Sequence, residues 1–149
     1  MDTQTKFHQI RKTVDTRIFA ESLIAAFEGG SNYWYLLNTN EPWFDVVNRY
    51  DNLLAKQENR TTRNPLSVRI TNALLAIDTL RIPIYDVENP NEKHGYGKGV
   101  LSQQSFLTGL SLLSEKFPER FFSIENGDYD AEDADVFFQL CVFNDVIFG

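Results

Sequence analysis

The sequence predicts a mainly helical α+β fold, one domain carrying a small antiparallel β-hairpin or sheet. Three observations lead there. Apolar residues recur at helical spacing in five segments, each bounded by capping residues, proline or glycine. One stretch, Leu80 to Val87, alternates instead and runs into glycine-rich turn chemistry. The chain has 149 residues and 13% aromatic content with 12 Phe, enough for one sizeable core and for no second domain. The domain is expected to span residues 1–149, with 1–14 a loose, polar N-terminal arm.

Taken in order, Asp15 or Thr16 caps a helix over about 17–28. Ile18, Phe19, Leu23, Ala26 and Phe27 form its inner face, and Gly29-Gly30 is expected to supply a left-handed stop. Pro42 opens a second helix that runs to Lys56, with Trp43, Val46, Val47, Tyr50, Leu53 and Leu54 on one stripe. Residues 57–64 are polar throughout and read as an exposed loop. Asn64-Pro65 restarts a helix whose face is Leu66, Ile70, Ala73, Leu74 and Ile77. Pro83 inside the alternating stretch cannot donate to a ladder, so that strand is expected at an edge or with an interrupted ladder. Asn89-Pro90-Asn91 and the glycines that follow suit a hairpin tip, with a return strand at Lys98–Leu101. Ser102 caps a helix burying Phe106, Leu107, Leu110, Leu113 and Phe117, and Pro118 ends it. Phe121, Phe122 and Ile124 read as a short apolar link. Asp128 or Asp130 then caps a final helix from Ala131 to Phe143.

Composition narrows the function classes. The single cysteine, Cys141, rules out an intramolecular disulfide and a thiolate metal cage within one chain, and its apolar neighbours suit an inert buried thiol. The first residues lack the apolar core of a signal peptide, and no run approaches the roughly 18 apolar residues of a membrane span. A cytoplasmic protein with no membrane partner is the expectation. The net charge of −7 lies wholly in the second half: residues 79–149 carry five Lys/Arg against twelve Asp/Glu, six of them between Glu125 and Asp135. Free nucleic acid is therefore not an expected ligand, since phosphate neutralisation needs clustered cations. A protein with a basic surface is.

Several constellations bear on chemistry. Asp128, Asp130 and Glu132 alternate like the start of a calcium loop, but the sixth and twelfth positions are Asp133 and Gln139, where glycine and glutamate belong. The acids Asp128, Asp130, Glu132, Asp133 and Asp135 read either as helix-terminus carboxylates or as a partner-binding patch. No metal or other cofactor is expected. His8 and His94 are the only histidines, and no nucleophile elbow accompanies them, so a small enzyme of unknown reaction stands as the last alternative. Lys56, Arg60, Arg63 and Arg69 gather around the polar loop. Arg60 and Arg63, with Tyr33 and Trp34, make a candidate site for a small anionic, nucleotide-like ligand. The same aromatics equally suit packing beneath the first helix stop. Oligomers are compatible with all of this.

Three segments together resemble a known group. Glu28-Gly29-Gly30-Ser31-Asn32-Tyr33-Trp34, the block Leu101 to Leu113 with Phe106-Leu107 and Gly109-Leu110, and the ending from Asp130 through Gly149 resemble small accessory proteins of bacteriophages and prophages. The chain departs from them at Phe143-Asn144-Asp145-Val146, where the group has Phe-Gly-Glu-Val, and residues 38–64 look like an insertion. The resemblance carries over no catalytic residue. It implies a non-enzymatic protein acting in the cytoplasm of a host cell by binding a host macromolecule, inhibition of a defence system among the forms this takes. A sponge for a small nucleotide-like ligand is the alternative.

Overall fold

A computed structural model describes residues 14–87 and 98–149. Within them six α-helices and a three-stranded antiparallel sheet make a mainly helical α+β fold. Helix α1 (Thr16–Ala25) passes into a π-helical turn (Ala26–Gly30), strand β1 (Tyr35–Leu36) and helix α2 (Pro42–Gln57). Helix α3 (Leu66–Ala76), strands β2 (Ile82–Asp86) and β3 (Lys98–Leu101), and helices α4 (Gln103–Lys116), α5 (Pro118–Glu125) and α6 (Ala131–Phe143) complete it. The arm predicted at the N-terminus lies, but for Val14, outside the described residues. So do His8, His94 and the predicted hairpin tip.

Helix α6 is the centre. Every residue from Asp133 to Val142 is buried, which is why the segment lacks a polar stripe. It packs against α1, the π turn, β3, α4 and α5. Its contact with α4 is backbone-close: a Cβ on Gly109 would lie 2.5 Å from Cys141 Sγ and 2.8 Å from Cys141 Cα. Gly30 plays the same part at the other end, since a Cβ there would sit 2.6 Å from the Ala131 carbonyl oxygen. Phe19, Phe106 and Phe137 meet edge to face in the core, with Phe137 centroids 5.7 Å from Phe19 and 5.6 Å from Phe106.

Three expectations change. The first helix does not end in a left-handed glycine: the described positive-φ glycines are Gly127 and Gly149, and the chain leaves α1 through a π turn closed by Ser31 N–H on the Ala26 carbonyl at 2.8 Å. The apolar link Phe121, Phe122, Ile124 is helix α5. Pro118 ends α4 and also occupies the first turn of α5, where its missing N–H costs nothing. Strand β2 is central rather than at an edge, in the order β1-β2-β3. Its ladder is nonetheless interrupted: β1 pairs only with Tyr85 and Asp86, so at Pro83 the strand has a partner on the β3 side alone. The caps fall as the sequence predicts. Asp15 accepts from Arg17 N–H, and Ser102 and Asp130 each form a reciprocal capping box. The return strand Lys98–Leu101 is also where it was expected.

Candidate functional site

The segment Ser31 to Trp34 closes on α6 from about a hundred residues away in sequence. The π turn bonds Ser31 N–H back to Ala26, and the turn that follows lays Ser31, Tyr33 and Trp34 side by side over one carboxylate. Asp135 Oδ1 accepts from Ser31 Oγ at 2.7 Å and from Trp34 Nε1 at 2.8 Å. Asp135 Oδ2 accepts from Tyr33 Oη at 2.5 Å and from Gln139 Nε2 at 3.1 Å. Gln139 extends the network to the tail: its Oε1 accepts from Ile147 N–H and Phe148 N–H, both at 2.8 Å. Phe148 in turn stacks on Trp34 with centroids 5.1 Å apart and planes 11° off parallel. Burial, followed by the Asp135 hydrogen bond and charge, pushes the Tyr33 phenol well above its ordinary range.

This arrangement separates the residues nominated from sequence. Trp34 is 1% exposed and is a core side chain. Asp135, grouped with the surface acids on sequence grounds, points inward at 7% exposure, because it shares the face of α6 that meets the aromatic segment. Tyr33 keeps half its surface in water while its hydroxyl is committed to Asp135.

The two arginines also part. Arg60 reaches back to α2, where its Nη2 lies 2.9 Å from Asp51 Oδ1 and 3.1 Å from Glu58 Oε1. Asn64 Nδ2 donates to the same Asp51 oxygen at 3.1 Å. Burial raises the Asp51 pKa, but the hydrogen bonds and charge of Arg60, with Asn64, outweigh it and hold the carboxyl below its usual range. Arg60 therefore fastens the loop after α2 to the helix. Arg63 is exposed. Arg69 donates to the Asn64 carbonyl at 2.9 Å and to Asn48 Oδ1, and lies over the Phe44 ring. Tyr33 and Trp34 engage α6, while Arg60 engages α2, so the four nominated residues form no common network.

The remaining acids gather where α5 turns into α6. Gly127 at φ 77° allows the tight connection, and Asp128 N–H returns to the Ser123 carbonyl at 2.9 Å. Asp130 and Asp133 cap α6 reciprocally, through Asp133 N–H on Asp130 Oδ1 at 2.8 Å and Asp130 N–H on Asp133 Oδ2 at 3.1 Å. Arg120 of α5 forks onto Glu132 Oε1 at 2.9 Å and Asp133 Oδ1 at 2.7 Å. Asp128 is exposed. Residues 116–135 carry seven Asp/Glu against Lys116 and Arg120 alone.

Sequence reasoning missed the apolar member of this face. Phe122 on α5 is 63% exposed, the most exposed large hydrophobic side chain described. Glu119 and Glu125 stand three residues to either side, on its own side of the helix, and both are exposed. Beside them a cleft of about 500 Å³ is lined by Lys116, Phe117, Pro118, Glu119, Arg120, Ser123 and Asp133. The available signal was the outward phase of Phe122 relative to Phe121 and Ile124, which shows once the segment is read as a helix.

Among the described residues no group of three His, Cys, Asp or Glu side chains could hold a metal ion, and no helix is long and apolar enough to cross a membrane. Burial holds the Cys141 thiol well above its usual pKa. No family model, no curated protein and no solved structure matches this chain.

Proposed function

We propose that this is a non-enzymatic binding protein, of the phage accessory kind, that engages the basic surface of a host protein through the face formed by α5 and the start of α6. The observation carrying this reading is Phe122, an aromatic ring left in water between Glu119 and Glu125. Single exposed apolar side chains are common on monomers, but one set between two exposed carboxylates brings together an aromatic anchor and orienting charge. Aromatic anchors dominate binding energy, and surrounding charges set orientation, partner choice and association rate. The bacteriophage resemblance suggests a host defence component as the target, and the excess of carboxylates over residues 116–135 suits a basic one.

The face differs from the patch expected from sequence. Asp135 belongs to the interior, Asp130 and Asp133 serve the α6 cap, and Glu132 is paired with Arg120, so the charges offered to a partner are Glu119, Glu125 and Asp128. The sponge reading draws less support, because Trp34 is buried and Arg60 is engaged by Asp51. The test is affinity capture from bacterial host lysate, then titration of the purified partner at low and high salt. The affinity is expected to weaken with salt, and more gently once Glu119, Glu125 and Asp128 are replaced by their amides. A salt-independent affinity that the amide variants leave intact would remove the reading.

A further inference from the structure

A second cleft, of about 240 Å³, lies on a different part of the molecule, between the π turn, the β1 strand and the start of α3. Its walls are apolar and aromatic: Phe27, Tyr35, Leu37, Leu66 and Ile70. One charged group lines it. Glu28, from the π turn, accepts a hydrogen bond from Ser67 Oγ at 2.7 Å, and no described Lys or Arg pairs with it. Tyr35, whose hydroxyl donates to the Phe27 carbonyl at 2.6 Å, fixes one aromatic wall, and Phe27 packs edge to face against it at 5.4 Å.

Two features set this arrangement apart from a plain surface acid. The π turn is a rare form of helix, concentrated at functional sites, and here it is the segment that presents both Phe27 and Glu28 to the cleft. The chemistry is also complementary to one kind of group: an apolar slot with aromatic sides and a single carboxylate answered only by a neutral hydroxyl accepts an alkyl chain ending in a cation. The volume is below the roughly 300–1,000 Å³ of drug-sized sites and of the order of a single long side chain.

We propose that this cleft receives one lysine or arginine side chain of a protein partner, its stem against Tyr35, Leu37 and Leu66 and its cationic head on Glu28. The inference rests on the reading of the chain as a binding protein and adds a second, separate contact to it. The probes are N-acetyl-lysine and N-acetyl-arginine methylamides, with the norleucine derivative as the uncharged comparison, each titrated into the intact 15N-labelled protein. The expected result is saturable shifts at Phe27, Glu28, Tyr35 and Ser67 with the two cations. Norleucine, and the cations with Glu28→Gln, are expected to bind about two- to fivefold more weakly, the weight of one solvent-exposed ion pair. The exposed position of Glu28 keeps that variant folded. Equal shifts with norleucine, unchanged binding to Glu28→Gln, or shifts elsewhere would overturn the proposal. The titration needs no partner and is repeated on Phe122→Ala, where the same binding is expected, so the α5 face can fail without this site failing.

Discussion

Replacing Asp135 by asparagine is expected to destabilise the fold by about 2–4 kcal/mol, and the reason lies in which of its four partners can change roles. Ser31 and Tyr33 carry hydroxyls that both donate and accept, so either can turn to face an amide NH2. The Trp34 indole only donates, and it sits on Oδ1. Gln139 meets Oδ2 through its NH2, and it cannot flip, because its Oε1 already holds Ile147 N–H and Phe148 N–H. Whichever way the asparagine amide lies, its NH2 confronts a group that can only donate. One buried donor left unpaired costs about 1–3 kcal/mol, and the remaining bonds lose their charge assistance, which together gives the stated range. For a chain of this length that is a fall in Tm of about 4–16 °C, at roughly 2–4 °C per kcal/mol. Urea denaturation followed by the combined fluorescence of Trp34 and Trp43 measures it directly. A change within about 0.5 kcal/mol, the size of an ordinary surface substitution, would refute the claim that this carboxylate joins the aromatic segment to α6.

Other perturbations separate close packing from open space. Gly109→Ala is expected to lose about 1–3 kcal/mol or more, because the new methyl meets the Cys141 backbone rather than a flexible side-chain end. Gly29→Ala meets nothing within 4 Å at a φ that is not positive, so urea midpoints should show it neutral or stabilised by about 0.4–1 kcal/mol. Tyr33, Tyr35, Tyr85 and Tyr129 all have phenol pKa values raised, burial being the largest cause in each. A raised folded pKa contributes stability that is complete below the unfolded value of about 10 and is lost as pH climbs beyond it, so the urea midpoint at about pH 11 should fall below that at about pH 8. An unchanged midpoint would contradict the surroundings assigned to these phenols. Cys141 should react with a thiol reagent only at the rate of unfolding, and rapid native labelling would place it nearer the surface than 1% exposure allows.

What the sequence revealed and concealed follows the range of the interactions. Helices α2, α3, α4 and α6 could be read from periodicity and caps because both are local, down to the Ser102 cap and, for α6, to a choice between Asp128 and Asp130 that the structure gives to Asp130. Helix α5 could not, because eight residues hold barely two turns and Pro118 serves as stop and start at once. The two residues of β1 gain their identity only from Tyr85 and Asp86 opposite them. The Asp135 site was hidden for the same reason on a larger scale: its three donors from the aromatic segment lie 101 to 104 residues away. Within the acidic run, alternation made Asp135 look like one more surface carboxylate, and only the packing of α6 between its neighbours turns it inward. Of the Gly-Gly pair, Gly30 makes room for Ala131, while a Cβ at Gly29 would meet open space.

The central claim is that a partner is held on the α5 face by Phe122 within its acidic rim. Calorimetric titration of the captured partner against the native protein and Phe122→Ala tests it most directly, because a side chain 63% exposed can be removed with little effect on folding. The account predicts an affinity loss of about thirtyfold, the roughly 2 kcal/mol of a hot-spot aromatic, with an unchanged melting curve. Equal affinity for the two proteins would contradict it.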